Sequence, residues 1–243
     1  MELKLGDVEE TALITLAVRA TETKRKNARV IDRKAVEIID KLHIDTKNFD
    51  KLITHECVVA RTILFDETLR RYISRYPDAV VLNIGCGLDD RFSRVDNGRI
   101  EWYNIDVPDA IEVRRRVFSE SAREHMLGCD ILDAGWTGGI AKDKTVIVVA
   151  EGLLMYFSKE QVCAVLKALT DNFGAGVLLA ELMRRKMMKE KMHDTVKHTN
   201  AKFGWGIDKS GRELLGLNDK LALVSDVSFS EQMKRDGTKS RLM

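Results

Sequence analysis

Gly85 and Gly87 interrupt the chain where a short apolar run, Val80-Val81-Leu82-Asn83-Ile84, ends. An apolar run of that length, bounded by a turn signal, predicts a buried parallel strand. Two glycines one residue apart allow a tight turn and let the backbone approach a ligand closely. Leading into a helix, such a turn opens a nucleotide-binding βαβ unit. A dinucleotide site needs a third glycine three residues after the second, and Asp90 stands there instead. Its bulk and charge argue against a helix start built for pyrophosphate. A second apolar stretch, Ile100-Glu101-Trp102-Tyr103-Asn104-Ile105, runs into Asp106, about 20 residues past Gly85, where a ribose-binding carboxylate belongs. The chemistry that fits is an adenosine-type cofactor without a diphosphate: S-adenosylmethionine, with S-adenosylhomocysteine as its product. A sharp turn and a surface acid at a strand end would show the same residues, so the wider pattern has to decide.

The elements that must carry these residues follow from the hydrophobic pattern. From Asp78 onward strands and helices alternate. Strands are predicted over 79–84, 100–105, 125–130, 145–151 and 175–181. The fourth, Thr145-Val146-Ile147-Val148-Val149-Ala150-Glu151, is the most hydrophobic run of the chain and should be central, buried on both faces. Asp109 is expected to cap a helix running through Phe118, and Ser158 one carrying Val162, Val165, Leu166 and Leu169. Such alternation means a parallel, doubly wound α/β sheet. Ligands bind at the carboxyl ends of such strands. Four predicted strands end there in a glycine turn or an acid: Gly85, Asp106, Asp130 and Glu151. Each could be a helix cap or a solvated rim residue. Four on one edge are better explained by a polar ligand lying across it, because burying lone charges is costly.

Residues 8 to about 76 read as helical. Asp32 precedes the stripe Ala35, Val36, Ile38, Ile39 and Leu42, and Pro77 closes a longer helix carrying Val58, Val59, Ile63, Leu69 and Ile73. The basic stretch Lys24-Arg25-Lys26 reads as a solvated loop. A last strand is expected over Leu221–Phe229. The 243 residues suit one domain, a cap over 1–77 and a core over 78–243. Hydrophobic residues make up 44% and charged residues 32%, enough apolar content for a sizeable core. A net charge of only +2 gives no reason to expect nucleic acid or a membrane as partner. The four cysteines, Cys57, Cys86, Cys129 and Cys163, are far apart, which suggests neither a zinc site nor a disulfide framework. Reduced thiols and a cytoplasmic location are expected. So is the absence of any metal.

Three ordered motifs carry a family resemblance. Leu82-Asn83-Ile84-Gly85-Cys86-Gly87-Leu88-Asp89-Asp90-Arg91-Phe92 resembles a glycine loop of the Gly-x-Gly-x-Asp-x-x-Phe type. Trp102-Tyr103-Asn104-Ile105-Asp106-Val107-Pro108 resembles the second-strand motif, with Arg114 where a basic residue is usual. Ala150-Glu151-Gly152-Leu153-Leu154-Met155-Tyr156-Phe157 resembles the fourth-strand motif. The family is the leucine carboxyl methyltransferase-like one, in its polyketide O-methyltransferase branch. The resemblance runs from about Thr11 to about Phe229. It implies a class I S-adenosylmethionine-dependent O-methyltransferase with a Rossmann-like sheet and an N-terminal helical cap.

The resemblance also implies roles. Arg61 would pair with the methionine carboxylate, which a guanidinium can hold by two parallel hydrogen bonds. Gly85, Cys86 and Gly87 would form the loop under the methionine part. Asp106, with Val107 beside it, would accept from the ribose hydroxyls. Asp130 and Ile131 would meet the adenine, and Glu151 with Gly152 would flank the cofactor amino group. Tyr156, the candidate catalytic residue, lies where the family lines the acceptor pocket. The family's fold usually finishes with an antiparallel strand pair, of which the sequence offers one strand.

Methyl transfer from a sulfonium is an in-line displacement, for which positioning and desolvation supply much of the rate. A carboxylate acceptor is already anionic and needs no base. A phenol, with a pKa of about 10, needs a base or a cationic neighbour. His193 and His198 are candidates for a base, on the basic stretch Met183–Lys202. Phe203-Gly204-Trp205-Gly206 offers either an acceptor wall or a turn anchored by a buried Trp. The expected function is methylation of a carboxylate or phenolic oxygen on a small, polyketide-like molecule. A protein carboxyl methyltransferase, a catalytically silent S-adenosylmethionine-binding protein and a nicotinamide oxidoreductase are the competing readings. The missing third glycine weighs against the last. The expected partner is a small-molecule acceptor, with a homodimer the assembly left open.

Overall fold

In a computed structural model of the chain, the described residues are 7–46, 52–133, 135–188 and 202–235. The helices among them are α1 (Asp7–Thr23), α2 (Arg33–Leu42), α3 (Leu52–Arg75), α4 (Arg91–Val95), α5 (Pro108–Arg115), α6 (Lys159–Asn172) and α7 (Phe229–Arg235). The strands are β1 (Val80–Ile84), β2 (Glu101–Asp106), β3 (Glu124–Gly128), β4 (Val146–Ala150) and β5 (Gly176–Ala180). Two compact units result. A helical unit gathers the chain through Tyr72, Leu88–Asp96 and the chain from Val227; a sheet unit holds Ile73–Gly87 and Asn97–Asp226.

In the sheet unit the strand order is β3-β2-β1-β4-β5, with every pairing parallel. This is the Rossmann-like doubly wound sheet that the alternation predicts. β1 and β4 are buried along their whole length, as near-continuous apolar runs require. Side chains alternate across a strand. Val80, Leu82 and Ile84 of β1 and Val146, Val148 and Ala150 of β4 join one core cluster with the α6 stripe Val162, Val165, Leu166 and Leu169. That stripe has the i, i+3, i+4, i+7 spacing of an amphipathic helix. Ser158 starts α6 with a capping box: its hydroxyl accepts from the Gln161 amide, and its own amide donates to the Gln161 side chain.

Three expectations need correction. The third strand is Glu124–Gly128, not 125–130. The Cys129 amide adds one more ladder bond to Asp106 O at 2.9 Å, and then the Asp130 carboxylate accepts the Leu132 amide, a local turn that ends the strand. Asp109 does not cap its helix. Val107 is the cap, Pro108 opens the first turn, and the helix ends at Arg115 rather than Phe118. Proline's fixed φ suits that first position. No strand forms over 221–229. Residues 221–228 are irregular and α7 begins at Phe229. Val224 is 79% exposed, and Asp226 is turned to accept the Gly211 amide at 2.9 Å. Ser228 and Glu231 bond each other's amides as a capping box, which ends the alternation by starting a helix.

The helical unit buries an apolar seam of Val18, Val30, Val58 and Val59. The Asp32 carboxylate caps α2 by accepting the Ala35 amide at 2.8 Å. More unusual is the buried charge. Arg19, Arg91 and Arg94 interleave with Asp32, Asp66 and Asp89. Arg19 Nε and Arg94 Nη1 reach Asp32 Oδ2 at 2.7 and 3.2 Å. Arg91 Nε and Arg94 Nε hold the two oxygens of Asp66 at 2.7 Å each. Arg91 Nη1 and Arg94 Nη2 take those of Asp89 at 2.9 and 3.0 Å. Three cations against three anions leave the cluster neutral, the condition on which such groups can be buried at all. Burial would raise the Asp89 carboxyl, but Arg91, Arg94 and Arg19 together hold it well below the usual range.

A second cluster joins Glu22, Arg29, His55 and Glu56. Arg29 grips Glu56 with two bonds of 2.7 and 2.8 Å and reaches Glu22 Oε1 at 3.1 Å. His55 Nε2 lies 2.8 Å from Glu22 Oε2. Burial would push the Glu22 carboxyl up. Bonds from His55 and from the Arg29 amide and guanidinium outweigh it and bring the pKa from 4.5 to about 2. A depressed carboxyl stabilises the fold fully above its unfolded pKa and loses that contribution as pH falls through the folded one. Part of the acid destabilisation of this chain should therefore fall between about pH 4.5 and 2. Thermal melts of Glu22→Gln should show a loss of about 3 kcal/mol near neutral pH and a shallower decline across that acid window. An unchanged acid limb would remove Glu22 from the account.

Candidate active site

Parallel register puts the strand ends side by side. Ile84 of β1 lies beside Ile105 of β2 and Ala150 of β4, and Asp106 lies beside Gly128 of β3. Reading across the carboxyl edge gives Asp130, Asp106, the Gly85–Gly87 loop, Glu151 and Glu181. The winding direction reverses between β1 and β4, the place where open α/β sheets bind ligands.

The loop is built on Ile105. Its carbonyl accepts from the Gly85 and Cys86 amides at 2.8 and 3.2 Å, extending the β1–β2 ladder beyond the strand. Gly85 has φ +67°, where side chains are strained, and a Cβ there would meet Leu153 Cδ1 at 2.9 Å. The Gly87 amide donates to Asp106 Oδ2 at 2.8 Å, and the Val107 amide donates to Asp106 Oδ1 at 2.9 Å. Each carboxylate oxygen is thus oriented by one backbone amide. Val107 is 43% exposed beside it, a large apolar side chain open at the edge. Of the residues expected at the adenine end, Asp130 is exposed and Ile131 is buried in the sheet-unit core.

Beyond β4, Glu151 is half-buried and Gly152 turns with φ +64°. The Gly152 amide donates to Glu181 Oε2 at 2.7 Å. Glu181, just after β5, was not singled out from the sequence, although an acid closing a strand repeats the signal of Asp106, Asp130 and Glu151. A 3-10 turn over Leu154–Tyr156 follows. The Tyr156 ring stacks on Phe203 with centroids 5.5 Å apart. Met155 O accepts from the Gly204 and Trp205 amides at 2.8 and 3.4 Å, which pins this aromatic group to the turn. Gly204 and Gly206 have a packing reason: a Cβ would lie 2.5 Å from Phe157 O in one and 2.7 Å from Met183 O in the other. Trp205 is buried, and with Gly204, Gly206, Met188, Lys159 and Arg185 it borders a cavity of about 420 Å³.

Carboxylates dominate the edge. Burial, and then Asp130, Asp133 and Asp106, push the Cys129 thiol up. Such a field suits a ligand bearing positive charge, as a sulfonium and an ammonium do, and the two oxygens of Asp106 suit a diol. The residues present therefore fit S-adenosylmethionine. Arg61 lies within α3, half-buried, in the helical unit. His193 and His198, and most of the Met183–Lys202 stretch, lie outside the described residues. Among the described residues, no three His, Cys, Asp or Glu are grouped to hold a metal ion, and no helix is long and apolar enough to cross a membrane.

Gly85→Ala tests the loop geometry. Strain at positive φ and the clash with Leu153 should lower stability by about 1–3 kcal/mol. Adding Leu153→Ala to it should relieve the clash and not the strain, so, in thermal melts measured against Leu153→Ala alone, the Gly85→Ala cost should shrink but not vanish.

Known proteins share the family and the fold of this chain. The model of a family described as Leucine carboxyl methyltransferase matches residues 12–170. The tetracenomycin polyketide synthesis O-methyltransferase TcmP of Streptomyces glaucescens is 30% identical over 211 residues, which cover 84% of this chain and 77% of that protein. The S-adenosyl-L-methionine-dependent methyltransferase dpfgK of Gibberella zeae is 27% identical over 190 residues, 71% of this chain and 63% of its own. A crystal structure from Thermobifida fusca YX, provisionally assigned as a methyltransferase, superposes with a TM-score of 0.59 at 15% identity, covering 88% of this chain and 81% of that one. That likeness is one of fold, and the fold is the class I methyltransferase type. With the family model spanning well over half of its length, the chain belongs to the leucine carboxyl methyltransferase family, enzymes that transfer a methyl group from S-adenosylmethionine to oxygen.

Proposed function

We propose that this chain methylates a carboxylate or phenolic oxygen of a small, polyketide-like molecule. The observation that carries the reading is the Asp106 carboxylate, presented at the carboxyl edge between the Gly87 and Val107 amides. In this reading Asp106 accepts from the ribose hydroxyls. Gly85, Cys86 and Gly87 bring bare backbone under the methionine part. Asp130 and Ile131 bound the adenine, and Glu151 and Gly152 lie at the amino end. When bound, S-adenosylmethionine supplies a methyl group on a sulfonium, open to in-line displacement. The residues of the chain orient and desolvate the partners. Tyr156 and Phe203 form an aromatic wall for the acceptor, and the sulfur of Met188 lets the neighbouring cavity adapt in shape. Lys159, Arg185 and Glu213 border that cavity, a mixed charge that does not by itself choose between a carboxylate and a phenol. A cytoplasmic location and a homodimer go with this reading.

Titration with S-adenosylhomocysteine, with NAD as control, tests the cofactor. Methyl transfer to a panel of aromatic carboxylic acids and phenols tests the acceptor. S-adenosylhomocysteine alone should bind, and NAD binding without it would overturn the reading. With a carboxylate acceptor the rate should be flat from about pH 6 to 9, because the oxygen is already ionised. A rate climbing toward about pH 10 would identify a phenol instead. Tyr156→Phe should keep nearly full kcat, and Tyr156→Ala should raise the acceptor KM by up to about tenfold. A collapse of kcat in the phenylalanine variant would give the hydroxyl a chemical role.

A further inference from the structure

The face of the sheet opposite the α6 core carries a buried polar chain that packing does not require. Asn83 on β1 donates to Asn104 Oδ1 on β2 at 3.3 Å, and Trp102 Nε1 donates to the same oxygen at 2.9 Å. Asn104 donates onward to Glu124 Oε1 on β3 at 2.9 Å. That oxygen lies 3.7 Å from Arg114 Nη2 on α5. Arg114 is wholly buried, with its guanidinium 4.0 Å over the Phe118 ring. Its Nη1 donates to Gly87 O at 3.0 Å. A buried arginine and its acidic partner can often be replaced together by apolar side chains of similar volume at little loss of stability, so packing alone gives no reason to keep the pair.

We propose that Arg114 is a positioning residue for the cofactor: it fixes Gly87, and through Gly87 the Asp106 carboxylate. Glycine has the widest backbone freedom, so its own sterics cannot hold Gly87 at φ +46°. Two hydrogen bonds do, one on each side of the residue. Its carbonyl is taken by Arg114, and its amide points at Asp106 Oδ2. Freeing the carbonyl lets the amide swing, and the carboxylate loses the bond that orients it. Glu124 Oε1, which accepts from Asn104, lies at ion-pair distance on the other side of the guanidinium. This rests on Asp106 receiving the ribose, as proposed above.

The test compares S-adenosylhomocysteine with its 2′-deoxy analogue, by calorimetric titration of the full chain. Wild type should prefer the ribose form by roughly tenfold or more, as a bond to a charged acceptor implies. Asp106→Asn should erase that preference. Arg114→Met should bind S-adenosylhomocysteine roughly tenfold more weakly and also lose most of the preference, with a lowered melting temperature because Glu124 loses its counter-ion. Arg114→Lys, which keeps the charge and one donor direction, should recover part of both, and it carries the test if the methionine variant fails to fold. A general structural defect would weaken both ligands equally and leave the preference intact. If Asp106→Asn loses the preference while the Arg114 variants keep it, the Arg114 proposal is overturned and the Asp106 reading stands. If Asp106→Asn keeps the preference, the Asp106 reading fails and this proposal fails with it.

Discussion

The parallel ladder around β1 is the constraint on which the site depends. β1 is paired on both sides, so its end is fixed against the ends of β2 and β4 at once. Parallel bonding forces all five strands to finish at one edge. Once Ile84 is level with Ile105 and Ala150, the glycine loop, Asp106 and Glu151 must be neighbours whatever their side chains do. The ladder even continues past the strand, because the Gly85 and Cys86 amides stay on Ile105 O. The loop therefore begins from a rigid base and needs flexible residues only where it turns.

Charge is treated differently in the two units. The helical unit buries three arginines among three aspartates, and then a second cluster of Arg29, Glu22, His55 and Glu56. In the first cluster each ion offsets another, so removing any one leaves a buried charge without its counter-ion, and that is far more damaging than never having had the pair. The sheet unit sets several carboxylates, Asp106, Asp130, Glu151 and Glu181, along one edge. The described residues thus bury their clustered charges in the helical unit and set acids along the carboxyl edge in the sheet unit.

The strands were legible because fully buried parallel strands read as apolar runs, and each was placed to within two residues. The Asp32 and Ser158 caps were legible because capping is local chemistry. Asp106 could be found because a strand end plus a fixed spacing locates it. What could not be read depended on distant partners. Asp89 sits in the glycine-loop sequence and looked like part of the loop, yet its partners are Arg91, Arg94 and Arg19, the last of them 70 residues upstream. Arg114 announced only its type, since its meeting with Gly87 depends on how α5 lies against the sheet. The expected strand at 221–229 failed for the converse reason. Alternation there was real, but Ser228 and Glu231 settle the local competition in favour of a helix start.

Leu153 lies over the bare Cα of Gly85, so the turn after β4 and the glycine loop are one interlocked piece. The same turn runs directly into Tyr156. Anyone redesigning the Leu153–Phe157 turn to admit a bulkier acceptor would be lifting the lid of the neighbouring loop as well. On the function proposed above, changes in acceptor scope and changes in cofactor grip travel together in this scaffold.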